Sequence, residues 1–185
     1  MALHGRGPAV ATGIKRARPE AVVFTYQGDG DMAAIGTGEI VHAAGRCERI
    51  TVVYVNNGVF GATGGQQAPT TLIGQATTSY PAGRDAKESG YPLRMAEMLS
   101  VIAPESYIAR VSVHNVPHIL KAKKAIRKAF TVQMEGRGFG MVEILAACPT
   151  NWRTDPLRAM EKIKSDMIGY YPLGEFSAVP KEPRR

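Results

Sequence analysis

Apolar runs and amphipathic stripes alternate along this chain, and their order predicts an α/β fold. Ala21-Val22-Val23-Phe24-Thr25-Tyr26 is apolar and β-prone, so it predicts a buried strand that stops at Gly28. Residues 32–44 carry Ile35, Ile40, Val41 and Ala44 at helical spacing and predict a helix with those four inward. A second apolar run, 50–55, predicts the next strand. Before this βαβ unit, Pro8 suits a first helical turn, and 9–18 predicts a helix ended by Pro19. After it, 94–102 predicts a short helix and 107–113 a strand. Residues 117–135 form the longest amphipathic stripe, with Ile119, Leu120, Ala122, Ile126, Ala129, Phe130 and Val132 opposite the lysines. Residues 138–147 predict another strand, and Asp155 caps a last helix that begins at Pro156 and runs to about residue 167. The expected fold class is therefore α/β, a mostly parallel open sheet with helices on both faces. Residues 58–90 keep no period and are rich in Gly, Thr, Pro and Gln. A loop of that length in a compact domain predicts an ordered, functional segment over a ligand site. The Pro-containing end predicts an arm or tail over 174–185, leaving 1–173 as the ligand-binding domain.

The first two strands end on chemistry. Gly28-Asp29-Gly30 follows one and Asn56-Asn57 the other, which places both motifs at the carboxyl ends of neighbouring strands, where open α/β sheets bind ligands. Asp29 offers a hard carboxylate oxygen, the Asn57 amide a second, and a carbonyl such as that of Val59 a third. Mg²⁺ takes about six oxygens in octahedral array, so a diphosphate and water would complete the set. A rival reading uses the same residues, because Gly28-x-Gly30-x-x-Ala33 also fits a dinucleotide fingerprint. Against it, the second strand ends in Asn rather than the ribose-binding acid, and Asp29 would face pyrophosphate without a cation between them. The plainest alternative is a tight turn with no ligand.

Composition narrows the partners. With 185 residues, 44% hydrophobic and 21% charged, the chain predicts one soluble domain with a sizeable core. It carries no membrane-length apolar run, no signal-peptide pattern and only two cysteines, Cys47 and Cys148, so a cytoplasmic setting is expected. The net charge of +7 gathers in residues 15–18, 121–128 and 181–185. No basic and aromatic residues interleave and no nucleic-acid motif occurs, which argues against nucleic-acid binding. A solvated helix face and a tail account for the charge, with an acidic protein partner as the alternative.

Beyond these local signals, the run from Gly28 to Gly36 and the stretch Val55-Asn-Asn-Gly-Val-Phe-Gly-Ala-Thr-Gly-Gly-Gln-Gln-Ala-Pro-Thr-Thr71 resemble the β subunits of 2-oxoacid:ferredoxin oxidoreductases. Leu3-His-Gly-Arg-Gly-Pro-Ala-Val-Ala-Thr-Gly13 and Pro149-Thr-Asn-Trp152 extend the resemblance over about 3–173, nearest the 2-oxoisovalerate and 2-oxoglutarate branches. The resemblance implies a thiamin diphosphate domain of the diphosphate-binding type. It implies that Asp29, Asn57 and the Val59 carbonyl hold Mg²⁺ and that Gly28, Gly30 and Asp31 line the diphosphate pocket. Thr63, Gly64 and Gly65 would lie near the thiazolium, and His4 and Arg6 would approach the cofactor from the other side. His4 and Thr63 are the candidates for catalytic roles. The implied reaction is oxidative decarboxylation of a 2-oxoacid to an acyl-CoA, with electrons passed to ferredoxin. The implied partners are an α-type subunit, with γ and δ subunits beside it, and ferredoxin.

In such relatives a cysteine at the position of Cys148 is the last of four ligands to a [4Fe-4S] cluster. The other three lie upstream and include a Cys-x-x-Cys, which this sequence lacks. A longer chain, thiolates from another polypeptide, or loss of the cluster would each account for this. Cys47 is expected to be a small buried filler. Two further readings stay open: a non-oxidative thiamin diphosphate-dependent decarboxylase subunit, and a truncated chain with no activity of its own. Glu39 is expected to be structural or surface-exposed, His42, His114 and His118 to pack or cap, and Trp152 to sit in the core or at an interface.

Overall fold

The computed structural model describes residues 2–177, so most of the expected C-terminal arm, 178–185, lies outside the described residues. The elements run α1 (Gly7–Ala17), β1 (Phe24–Gly28), α2 (Thr37–Gly45), β2 (Thr51–Asn56), β3 (Val59–Phe60), β4 (Gln66–Gln67), α3 (Ala86–Ser89) and α4 (Met95–Ile102). They continue with β5 (Tyr107–Ser112), α5 (Val116–Met134), β6 (Gly140–Leu145), α6 (Pro156–Lys162), α7 (Ile168–Tyr170) and β7 (Gly174–Glu175). Four strands pair in parallel in the order β1-β2-β6-β5, as the alternation of strands and helices predicts, and β7 adds an antiparallel edge beside β5. Phe176 then donates its backbone N–H to the Ile108 carbonyl, so the chain is tied to the sheet through the start of the expected arm.

Side chains one residue apart on a strand point to opposite faces, and the two cores follow that period. Val52, Tyr54, Ile108 and Met141 meet Ile40, Met95 and Leu99 on the face covered by α1, α2 and α4. Val53, Ala109 and Val142 meet Ala125, Ala129 and Val132 of α5 on the other. Each fully buried Ile, Leu or Met here contributes about 1.5–3 kcal/mol. The Asp155 cap forms as the sequence implies, and Asn115 caps α5 in the same way, each accepting from a backbone N–H at a helix start.

Several expectations are corrected. β1 is not a buried apolar strand: Thr25 and Gln27 face the core while Phe24 and Tyr26 are 55% and 71% exposed. It is the sheet edge, and α5 lies over β2, β5 and β6, reaching β1 mainly through an edge-on contact of Phe130 with Phe24. The single helix expected over 32–44 is two pieces. Residues Gly30–Ile35 make a π-helical turn, closed by the Gly36 N–H on the Asp31 carbonyl, before α2 begins. A Cβ at Gly36 would lie 2.5 Å from the Asp31 carbonyl oxygen and 2.8 Å from that of Gly5, so the break is where the N-terminal segment packs against the helix. Ile35 consequently points outward rather than into the core. Ile119 and Leu120, at the start of α5, are also exposed.

The aperiodic stretch after β2 is ordered. β3 and β4 make a short hairpin, and the buried Arg84 guanidinium donates to the carbonyls of Ala68, Pro69, Thr71, Ser89, Gly90 and Tyr91. Six backbone acceptors that no ladder satisfies thus share one fixed cation. A second buried cation, Arg110, sits between Glu97 and Glu143, and Glu143 also accepts from the Asn56 amide at 2.8 Å.

Candidate functional site

β1 and β2 are neighbours with Gly28 opposite Val55, so Asp29 and Asn57 leave the sheet side by side. The Asp29 side chain is buried and held by three donors. Its Oδ1 accepts from the Gly30 N–H at 2.9 Å, and its Oδ2 accepts from the Val59 N–H at 3.1 Å and the Thr70 hydroxyl at 3.2 Å. The same Val59 N–H donates to Asn57 Oδ1 at 3.1 Å, so one amide sets the spacing of the two side-chain oxygens. Burial pushes the Asp29 carboxyl up to about 6, against hydrogen bonds that favour its charged form.

These residues floor a cavity of about 340 Å³, lined by His4, Gly28, Asp29, Gly30, Asp31, Asn57, Phe60, Gly61, Ala62 and Thr63. A Cβ on Gly30 would fall 2.8 Å from Phe60 Cδ1, whereas one on Gly28 would meet open space. Glycine at 30 lets the Phe60 ring close over the backbone that opens the π-helical turn. The loop after β6 braces this wall: Asn151 Nδ2 donates to the Gly61 carbonyl at 2.9 Å, and Trp152 Nε1 to the Asn57 carbonyl at 3.0 Å.

The other expected site residues divide. His4 and Thr63 stand at the cavity wall. His4 Nδ1 lies 2.8 Å from Asp31 Oδ1, and the Thr63 hydroxyl bonds Gln66 Oε1 at 2.6 Å. Asp31 is occupied by the N-terminal segment and β1, accepting from the Gly5 N–H and Gln27 Nε2, both at 2.6 Å. Arg6 pairs with Glu39 on α2 and does not line the cavity, and neither do Gly64 and Gly65 in the β3–β4 turn. Glu39 is thereby the structural acid the sequence implies.

The donor chemistry fits a hard divalent cation. A carboxylate and an amide oxygen, both accepting the Val59 N–H at 3.1 Å, belong to residues that line the cavity together. Among the described residues no three His, Cys, Asp or Glu gather as a metal cage, so a cation at Asp29 would depend on one carboxylate with amide-type oxygens. A [4Fe-4S] cluster does not fit the residues present. Cys148 follows β6 and accepts from Asn151 Nδ2 at 3.1 Å, whereas Cys47 precedes β2 and accepts from the Phe139 N–H at 3.4 Å. The two cysteines therefore sit at opposite ends of the parallel strands and cannot share a cluster, which needs four thiolates.

Thr70, Phe60, Asn151 and the Trp152 hydrogen bond escape a reading of the sequence. Thr70 lies in a motif already singled out there, but nothing local tells which way a loop hydroxyl turns.

Residues 1–144 match the family described as thiamine pyrophosphate enzyme, C-terminal TPP binding domain. The chain is 47% identical over 173 residues to ketoisovalerate oxidoreductase subunit VorA of Methanothermobacter thermautotrophicus, covering 94% of this chain and 36% of that one. It is 38% identical over 163 residues to 2-oxoglutarate synthase subunit KorB of Archaeoglobus fulgidus, covering 88% of this chain and 57% of that one. The chain thus spans between about a third and three fifths of these relatives. Among solved structures, 2-oxoglutarate:ferredoxin oxidoreductase from Magnetococcus marinus, with 2-oxoglutarate, coenzyme A and succinyl-CoA bound, superposes with a TM-score of 0.72 at 28% identity. That match covers 97% of this chain and 64% of the other.

Proposed function

The chain belongs to the thiamine pyrophosphate enzymes, as their C-terminal TPP binding domain, and on that premise we propose that it is the cofactor-binding, β-type part of a 2-oxoacid:ferredoxin oxidoreductase. The observation that carries this reading is the pairing of Asp29 and Asn57 at adjacent strand ends, spaced by one shared amide on the floor of a cavity. The reaction assigned converts a 2-oxoacid and CoA to an acyl-CoA and CO₂, releasing one proton and two electrons to ferredoxin. Bound thiamin diphosphate supplies the nucleophilic carbon and the electron sink that loss of CO₂ requires. The protein's share is position and charge. Asp29, Asn57 and the Val59 carbonyl would hold Mg²⁺, and the backbone at Gly28, Gly30 and Asp31 would line the diphosphate pocket. His4, kept by Asp31, and Thr63 stand on the substrate side. Arg6, Gly64 and Gly65 flank this wall, and we assign closure of the site over them to an α-type partner subunit. Thiolates for a cluster beside Cys148 come, on this reading, from outside these 185 residues.

Among the described residues no helix is long and apolar enough to cross a membrane, and we place the reaction in the cytoplasm. The test is CoA-dependent viologen reduction by the complex isolated around this chain, across a panel of 2-oxoacids, with metal and thiamin diphosphate quantified. Reduction that Asp29→Ala abolishes is expected. Release of aldehyde without electron transfer would instead identify a non-oxidative decarboxylase.

A further inference from the structure

Of the three donors that hold the Asp29 carboxylate, two are backbone N–H groups and one is a side chain. That side chain is Thr70, 41 positions further along and fully buried, with its hydroxyl 3.2 Å from Asp29 Oδ2. Thr70 is itself anchored. Its carbonyl accepts from the Tyr171 hydroxyl at 2.7 Å across 101 positions, and Tyr171 is also fully buried. The Tyr171 ring lies 5.1 Å from the Arg110 guanidinium, which binds Glu97 and Glu143. Glu143 in turn accepts from Asn56, the neighbour of Asn57. A closed path of buried polar contacts therefore runs from the end of β1 through the loop and the C-terminal helices to the end of β2.

We propose that Thr70 is a positioning residue for the metal-holding carboxylate and that Tyr171 sets the orientation of Thr70, so that the two tune divalent-cation affinity. The proposal rests on reading Asp29 as a Mg²⁺ ligand. A carboxylate that coordinates a cation has to present its free lone pairs in one direction. Donors to its other lone pairs fix that direction, and losing such a partner typically weakens a metal site about 10–100-fold. The backbone donors at Gly30 and Val59 restrain each oxygen from the loops they belong to. Thr70 supplies the side-chain restraint, from a fully buried position and on the same oxygen as the Val59 N–H.

The experiment is equilibrium dialysis of the assembled complex carrying this chain, with Mn²⁺ as the probe at saturating thiamin diphosphate and the bound metal quantified directly. Thr70→Val keeps the branched shape and removes the donor, Thr70→Ser keeps the donor, and Tyr171→Phe removes one hydroxyl. Thr70→Val is expected to raise the Mn²⁺ dissociation constant at least about tenfold and Thr70→Ser to stay near wild type. Tyr171→Phe should shift it in the same direction by a smaller factor with the fold retained, and it carries the test if Thr70→Val does not assemble. Wild-type affinity in Thr70→Val, or equal weakening by Thr70→Val and Thr70→Ser, overturns the proposal while leaving the metal site standing. A wild-type complex that retains no Mn²⁺ with thiamin diphosphate overturns the metal reading and the proposal together.

Discussion

Asp29→Asn should stabilise the metal-free protein at neutral and alkaline pH while removing the carboxylate proposed to hold Mg²⁺. In the folded chain the Asp29 carboxyl is raised by burial from 3.8 to about 6. Between those two values the folded state holds a proton that the unfolded chain has already lost. Stability therefore falls as pH rises through this window and stays lowered above it. A rise of that size corresponds to about 3 kcal/mol at pH 7 and above, and the cost vanishes below about pH 4, where both states are protonated. Asparagine has no such cost. It keeps one oxygen for the Gly30, Val59 and Thr70 donors and loses part of the gain where its NH₂ meets an N–H, so a net of about 1–3 kcal/mol is expected. For a chain of this size each kcal/mol moves the melting temperature by about 2–4 °C. The assay is thermal unfolding of both proteins in chelator from pH 4 to pH 8. The variant should melt higher at pH 8, with the gap closing toward pH 4. Adding Mg²⁺ with thiamin diphosphate should raise only the wild type. A variant that melts lower than wild type at pH 8, or a gap that ignores pH, would refute the reasoning.

Two further outcomes test the surroundings of the site. Arg110→Met leaves Glu143 buried beside Glu97 with no cation. A loss of about 3–5 kcal/mol in urea unfolding is expected, growing with pH as Glu143 ionises, and a loss under about 1 kcal/mol would show that the pair contributes little. Gly30→Ala drives a Cβ to 2.8 Å from Phe60 Cδ1. Thiamin diphosphate retention should drop with the fold intact, and adding Phe60→Ala should restore it by making room; no recovery in the double variant would place the fault in the backbone instead.

Much of this architecture is local in origin and was readable from the chain. The strand and helix periods, the Asp155 cap, and the placement of Asp29 and Asn57 at strand ends depend on residues within a few positions of one another. Side-chain direction alternates with period two along a strand, and a βαβ connection sets its two strands in parallel, so a motif at each strand end must fall on the same edge of the sheet. The resemblance to 2-oxoacid oxidoreductase β subunits rests on the same residues, because the site is built from contiguous turns.

Tertiary packing decided the rest. β1 turns Thr25 and Gln27 inward because it is the sheet edge, and strand rank within a sheet is a property of the whole topology. The helix breaks at Gly36 because Gly5 arrives against it from 31 positions upstream, and no helical propensity records that arrival. Arg84 could be read as one more loop cation, and only the folded loop brings six carbonyls around it. Thr70 reaches Asp29 across 41 positions, and Tyr171 reaches Thr70 across 101. Sequence alone therefore determined where along the strands the candidate cation-holding groups lie. The direction in which those groups point is set by buried hydrogen bonds between distant segments, whose partners exist only once the chain has closed on itself.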